Sequence, residues 1–227
     1  GNSDNNTAIL NINSGMVSSE NNVSLTNYAT VNHYSGTVSS NATTFVAVNN
    51  QVTGNYSLNG GSIASKGNAF GNFGTFIMTS GTMTTSGDLP TYYNNGGTTT
   101  LNGGSIKNTG GNILIYNLIG TTNLDGINLT NTGTAVANGS ENNNAAILNI
   151  KSGTLSSEEK GAINNYGTIN HYDGTVLSTS DSYIAISNQE TATYNFSGGM
   201  IKSKTNSFSN AGTFVMTSGT MVTEGDS

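Results

Sequence analysis

Few side chains in this sequence are equipped for chemistry, and the most suggestive are two His-Tyr pairs, His33-Tyr34 and His171-Tyr172. A histidine beside a phenol can act as a general base or a metal ligand, provided that a carboxylate or a second ligand converges on it. The chain has 12 acidic residues, but they are scattered singly through polar stretches. Only Glu158 and Glu159 are adjacent, and 138 positions earlier their counterparts are Glu20 and Asn21, a single carboxylate. Glycoside hydrolysis needs a facing pair of carboxylates, and calcium needs several clustered oxygen ligands. No such set is apparent, so no catalytic residue, metal ligand or cofactor site is assigned. Cysteine is absent, which removes thiolate chemistry and disulfides and is compatible with export.

The surroundings of the two histidines explain them differently. Ala8-Ile9-Leu10-Asn11-Ile12 returns as Ala146-Ile147-Leu148-Asn149-Ile150, and Met78-Thr79-Ser80-Gly81-Thr82-Met83 returns as Met216-Thr217-Ser218-Gly219-Thr220-Met221, both at a shift of 138 residues. His33 and His171 are one position in this duplication, which relates 5–88 to 143–226 across linking coils at 89–142. Within each copy a glycine in an S-G-T or G-G-S setting recurs at 15, 36, 61, 81, 104, 126, 153, 174, 199 and 219. The first six spacings, 21, 25, 20, 23, 22 and 27, add up to the 138-residue shift, and the next three repeat the first three. A chain repeating at this period is a stack of supersecondary units.

Three apolar columns appear when the units are aligned, each with the two-residue alternation of a half-buried strand. One precedes the glycine and includes Leu10 and Ile12, Val31 and His33, Tyr56 and Leu58, and Phe76 and Met78. The second follows it: Val17, Val38, Ile63, Met83, Ile106, Leu155, Val176, Ile201 and Met221. The third is Leu25, Val48, Phe70, Tyr93, Ile115, Val136, Ile163, Ile186 and Phe208. Two residues beyond the third column stands an asparagine: Asn27, Asn50, Asn72, Asn95, Asn117, Asn138, Asn165, Asn188 and Asn210. The sixth unit, around Leu124 to Leu129, is one residue short and aligns loosely.

These columns specify an all-β fold: a single-stranded parallel β-helix, three-sided, with about ten coils of about 23 residues in one domain spanning 1–227. Parallel crossovers favour the right-handed form. At the strand spacing of ~4.8 Å the rod is roughly 48 Å long. Stacked amides one coil apart can bond to one another while capping turn backbone, so the asparagines form a structural ladder. In the N-x-G-T turns the glycine is expected to supply positive φ. The repeat begins and stops mid-pattern, and the array is expected to continue in at least one direction.

In this frame both histidines occupy a column otherwise filled by Ile, Leu, Met or Phe, and are expected to be inward, hydrogen-bonded core residues. Tyr34 and Tyr172 then point outward and are the candidate ligand contacts, since an exposed phenol can stack on a sugar ring or anchor a protein partner. The net charge of −6, without Arg or any basic patch, speaks against nucleic acid, and no apolar run approaches the ~18 residues of a membrane span.

The text Asn165-Tyr166-Gly167-Thr168-Ile169, followed by Gly174-Thr175-Val176, resembles the N-x-G-x-I repeats of filamentous-haemagglutinin-type adhesins and autotransporter passengers. The likeness extends over nearly the whole chain. It implies a right-handed β-helix at a bacterial surface, extracellular, acting as a rigid stalk or a binding surface for glycans or host-surface proteins. Polysaccharide lyases and hydrolases also use β-helices, so an enzyme is the alternative from another class, and a purely structural spacer is a third.

Overall fold

The computed structural model describes residues 6–225; the outermost ends of the duplicated segments, Asn5 and Asp226, lie outside them. The described residues form an all-β solenoid of about nine turns with no helix. Each coil contributes a first strand before its marker glycine and a second strand after it, and, among the described residues, all but the tenth add a three-residue third strand that ends on an asparagine. Ten first strands, ten second strands and nine third strands are present, which is why ten glycine markers make about nine turns. Coils are numbered here one to ten by their marker glycine.

All coil-to-coil pairing is parallel and nearly in register. Val31 lies between Leu10 and Tyr56, Val38 between Val17 and Ile63, and Val48 between Leu25 and Phe70. The alternation read from the sequence becomes burial: in Thr30–His33 the second and fourth side chains are inward, and the same holds in Thr37–Ser40. The core is continuous from Ile12 to Ile201 and is lined by β-branched, leucine and aromatic side chains. In coils three and four Phe70, Phe76 and Tyr92 stack with centroids 4.1 to 5.9 Å apart. Such packing removes large apolar areas from water at ~25 cal/mol per Å².

The marker glycines all have positive φ, from 73° at Gly61 to 103° at Gly219, because the chain turns there from the first strand into the second. The glycines of the N-x-G-T turns do not, contrary to expectation. At Gly74 a Cβ would stand 2.3 Å from the carbonyl oxygens of Gln51 and Gly54, and at Gly167 2.3 Å from that of Ala146. Close approach of the neighbouring coil, not backbone dihedral, excludes a side chain there.

A second departure concerns coil four. The inward third-strand residues are Tyr92 and Asn94, not Tyr93 and Asn95: Tyr92 pairs with Phe70 and Ile115, Asn94 with Asn72 and Asn117. The turn after Asn94 holds one extra residue, taken up by Asn95 and Gly96, where the register shifts and Gly96 has a φ of 102°. Coil six fits better than its length suggests. Leu124 pairs with Ile150 and Leu129 with Leu155, the mismatch being confined to the bend around Asp125.

Among the described residues no helix is long and apolar enough to cross a membrane.

Candidate functional site

The asparagine ladder is interior from Asn27 to Asn188, and only its last member, Asn210, is exposed. Amide nitrogens donate to the next coil's amide oxygen at 2.8 Å from Asn27 to Asn50 and from Asn50 to Asn72, and at 3.2 Å from Asn72 to Asn94. The run continues through Asn94, Asn117, Asn138, Asn165, Asn188 and Asn210 at 2.7 to 2.9 Å. Asn95 is thus replaced by Asn94 in the ladder. The amides also tie down corners: Asn165 Oδ1 accepts from the Gly167 backbone N–H of its own corner at 3.2 Å, and its Nδ2 donates to the Thr193 carbonyl of the next coil at 3.1 Å. A second ladder, on the outer surface of the first strands, was not read from the sequence: Asn195 donates to Asn170, Asn170 to Asn149 and Asn149 to Asn123, at 2.8 to 2.9 Å. Its signal was present in the asparagine between the two inward residues of these first strands, as in Leu148-Asn149-Ile150 and Tyr194-Asn195-Phe196.

His33 and His171 are fully buried. Nδ1 of each meets a tyrosine hydroxyl of the next coil, Tyr56 at 2.8 Å and Tyr194 at 2.9 Å, while Nε2 approaches the carbonyls of Gly36 at 3.3 Å and Gly174 at 3.4 Å. A carbonyl can only accept, so Nε2 carries the proton and the tyrosine hydroxyl donates to Nδ1. This arrangement fits a neutral imidazole, and burial holds His33 below the usual histidine range and His171 down to about 4. Burial likewise pushes the Tyr56 and Tyr194 hydroxyls upward. The histidines are core hydrogen-bonding groups, as their column implied.

Tyr34 and Tyr172 do point outward, with about half of each exposed. They sit at the bend before the marker glycines of coils two and eight, six coils or roughly 29 Å apart along the rod. The neighbouring coils place Asn13 and Asn59 in line with Tyr34, and Lys151 and Ser197 in line with Tyr172. The two phenols are therefore separate features on a convex edge.

The side built from the third strands and their flanking turns differs. Of the chain's ten tyrosines, Tyr56, Tyr92 and Tyr194 are buried, and five of the remaining seven, Tyr28, Tyr93, Tyr116, Tyr166 and Tyr183, belong to this side. Tyr93 and Tyr116 occupy the outward position of successive third strands, with ring centroids 5.7 Å apart. In the next coil that position is Ala137, followed by Asn164. A small residue between two larger ones leaves a notch, and Ile113, Tyr116, Ala137, Asn164 and Tyr166 line a cleft of about 400 Å³ there. Its far wall is the loop after Asn138, which accounts for the longest ladder interval. Ser140 and Asn143 close that loop with two backbone hydrogen bonds, 2.8 and 2.9 Å. Asn164 also borders a smaller hollow of about 270 Å³ with Lys160 and Tyr183, whose ammonium and hydroxyl lie 3.0 Å apart. None of these cleft residues was singled out in the sequence as a ligand contact, although the loop was visible as the longest interval.

Among the described residues no three His, Asp or Glu side chains come together at metal-binding range. The chain matches no protein-family model, and no curated protein or solved structure matches it.

Proposed function

We propose that this chain is a segment of an extracellular adhesin, a stiff β-solenoid that presents a row of aromatic and amide side chains to a glycan or protein surface. The observation that carries this reading is the segregation of five of the seven accessible tyrosines onto one side of the rod. Tyrosines supply large amphipathic contact area at small conformational cost, which is why binding surfaces are enriched in them. The interior ladder and continuous core supply the other requirement of such a surface, a backbone that does not have to be ordered on binding. The resemblance to filamentous-haemagglutinin-type and autotransporter-passenger repeats points to the same role at a bacterial surface.

Retention of protein-coated beads under flow tests the proposal. Beads carrying the chain should be held on epithelial cell layers or on immobilised polysaccharide more strongly than bare beads, with less retention after Tyr116→Ala and Tyr166→Ala. Retention no greater than that of bare beads on every surface would favour a structural spacer.

A further inference from the structure

We propose that the notch over Ala137 is a binding subsite for a neutral oligosaccharide, an inference that rests on the binding role proposed above. The site arises where the outward row shrinks to Ala137 and the loop after Asn138 lengthens the coil. Tyr116 and Asn164 flank Ala137 in register, two strand spacings or about 10 Å apart. Only the Ala137 methyl lies between them, itself 8% exposed. On one flank stands Ile113; on the other, Tyr166 and the loop at 139–142.

The parts are held in place before any ligand arrives. Tyr93 props the Tyr116 ring from the preceding coil, at 5.7 Å between centroids. The loop is pinned at its base by the Gly139 N–H to the Asn117 carbonyl, 2.8 Å, and at its tip by the paired Ser140 and Asn143 bonds. The Tyr166 N–H donates to the Asn138 carbonyl at 2.7 Å, which fixes that corner. A preorganised cleft loses little conformational entropy on binding, and its volume of about 400 Å³ falls in the ordinary range for small-ligand sites, ~300–1,000 Å³.

The lining chemistry selects the ligand class. Tyrosine rings offer faces for the C–H side of a pyranose, while the Asn164 and Asn142 amides and the Ser140 hydroxyl can each donate to and accept from sugar hydroxyls. The one charged group at the cleft is Glu141, and the chain as a whole carries −6. A carboxylate at the rim with no cation beside it in the lining disfavours sulfated, sialylated or uronate-rich chains.

The test is a glycan array carrying neutral and acidic oligosaccharides, probed with the wild-type chain and with Ala137→Tyr, Tyr116→Ala and the double variant Tyr34→Ala/Tyr172→Ala. Ala137→Tyr fills the notch with a residue already accepted in the same row at Tyr93 and Tyr116, and Tyr116→Ala removes a partly exposed ring, so one can stand in if the other fails to fold. Binding of neutral glycans that weakens at least tenfold in the first two variants and holds in the double variant supports the subsite. Neutral-glycan binding that ignores Ala137→Tyr and Tyr116→Ala overturns the location, and notch-dependent binding of acidic glycans alone overturns the ligand class. Bead retention separates the remaining failures: retention without any neutral-glycan binding overturns the subsite and leaves adhesion standing, whereas no retention and no array binding overturns both.

Discussion

The edge that carries Tyr34 and Tyr172 and the side that carries Tyr116 and Tyr166 use the same residue type with opposite results. On the edge the coils keep their register: Tyr34 stands between Asn13 and Asn59, Tyr172 between Lys151 and Ser197, and each phenol is about half exposed. On the other side the coils are relaxed twice, by the extra residue at Asn95-Gly96 and by the loop closed between Ser140 and Asn143, and the outward row shrinks to Ala137 between Tyr116 and Asn164. Strict stacking of identical coils makes smooth surfaces, because every outward side chain has a near copy ~4.8 Å away. Concavity requires that a coil differ from its neighbours. A site in such a molecule is therefore to be sought where columns slip, shrink or acquire loops.

Four expectations would break or sharpen this comparison. The largest effect belongs to the buried amide beneath the loop. Asn138 donates to Asn165 at 2.9 Å and to the Thr168 carbonyl at 3.1 Å, and accepts from Asn117 at 2.7 Å. Asn138→Ala should lower stability by about 3 kcal/mol, at ~1 kcal/mol per bond, and Tm by roughly 6–12 °C for a chain of this size. The outer-ladder variant Asn149→Ala should cost no more than ~0.5 kcal/mol, because water replaces what it loses. Equal melting shifts would show that burial does not set the two ladders apart.

Acid should act through the core histidines next. Both have folded-state pKa values below the unfolded value of 6.5, His171 at about 4, so the unfolded chain takes up protons first as pH falls. Their contribution is complete above pH 6.5 and is lost as pH drops toward 4, on the order of 3 kcal/mol for His171. Replacing both donor and acceptor, in His33→Leu/Tyr56→Phe/His171→Leu/Tyr194→Phe, should flatten denaturant midpoints measured between pH 6.5 and 4.5. An unchanged slope would contradict the neutral, buried assignment.

Deleting 140–144 would restore a 22-residue ladder interval and open one wall of the cleft. Calorimetry should find Tm changed by less than ~4 °C, since ladder and core are untouched, about 1 kcal/mol on this size scale. A larger fall would make the loop part of the fold. Smallest of all, Tyr34→Ala and Tyr172→Ala should shift Tm by under ~2 °C each, as exposed positions do.

The fold was legible because burial imposes a two-residue period and the bend between first and second strands demands positive φ, so apolar columns and marker glycines coincide. The inward histidines were legible for the same reason, their column admitting only core residues. Coil four was misread by one position because Tyr92-Tyr93 and Asn94-Asn95 are doublets: either member satisfies the pattern, and only the three-dimensional register with Phe70 and Asn72 decides. The cleft was hidden more deeply. Outward residues obey no column rule, so the smallness of Ala137 carries no signal until its neighbours Tyr116 and Asn164 are known. Tyr34 and Tyr172 drew notice through their histidines, whereas the grouped tyrosines lie far apart in the chain and meet only on stacking.

The central claim, that relaxed coils rather than regular ones carry the binding surface, is tested most directly by amide chemical-shift mapping of the chain with the neutral oligosaccharide that binds it best. The account predicts perturbations concentrated at 113–116, 137–145 and 164–166. Perturbations centred on Tyr34 or Tyr172, or spread evenly along the rod, would contradict it.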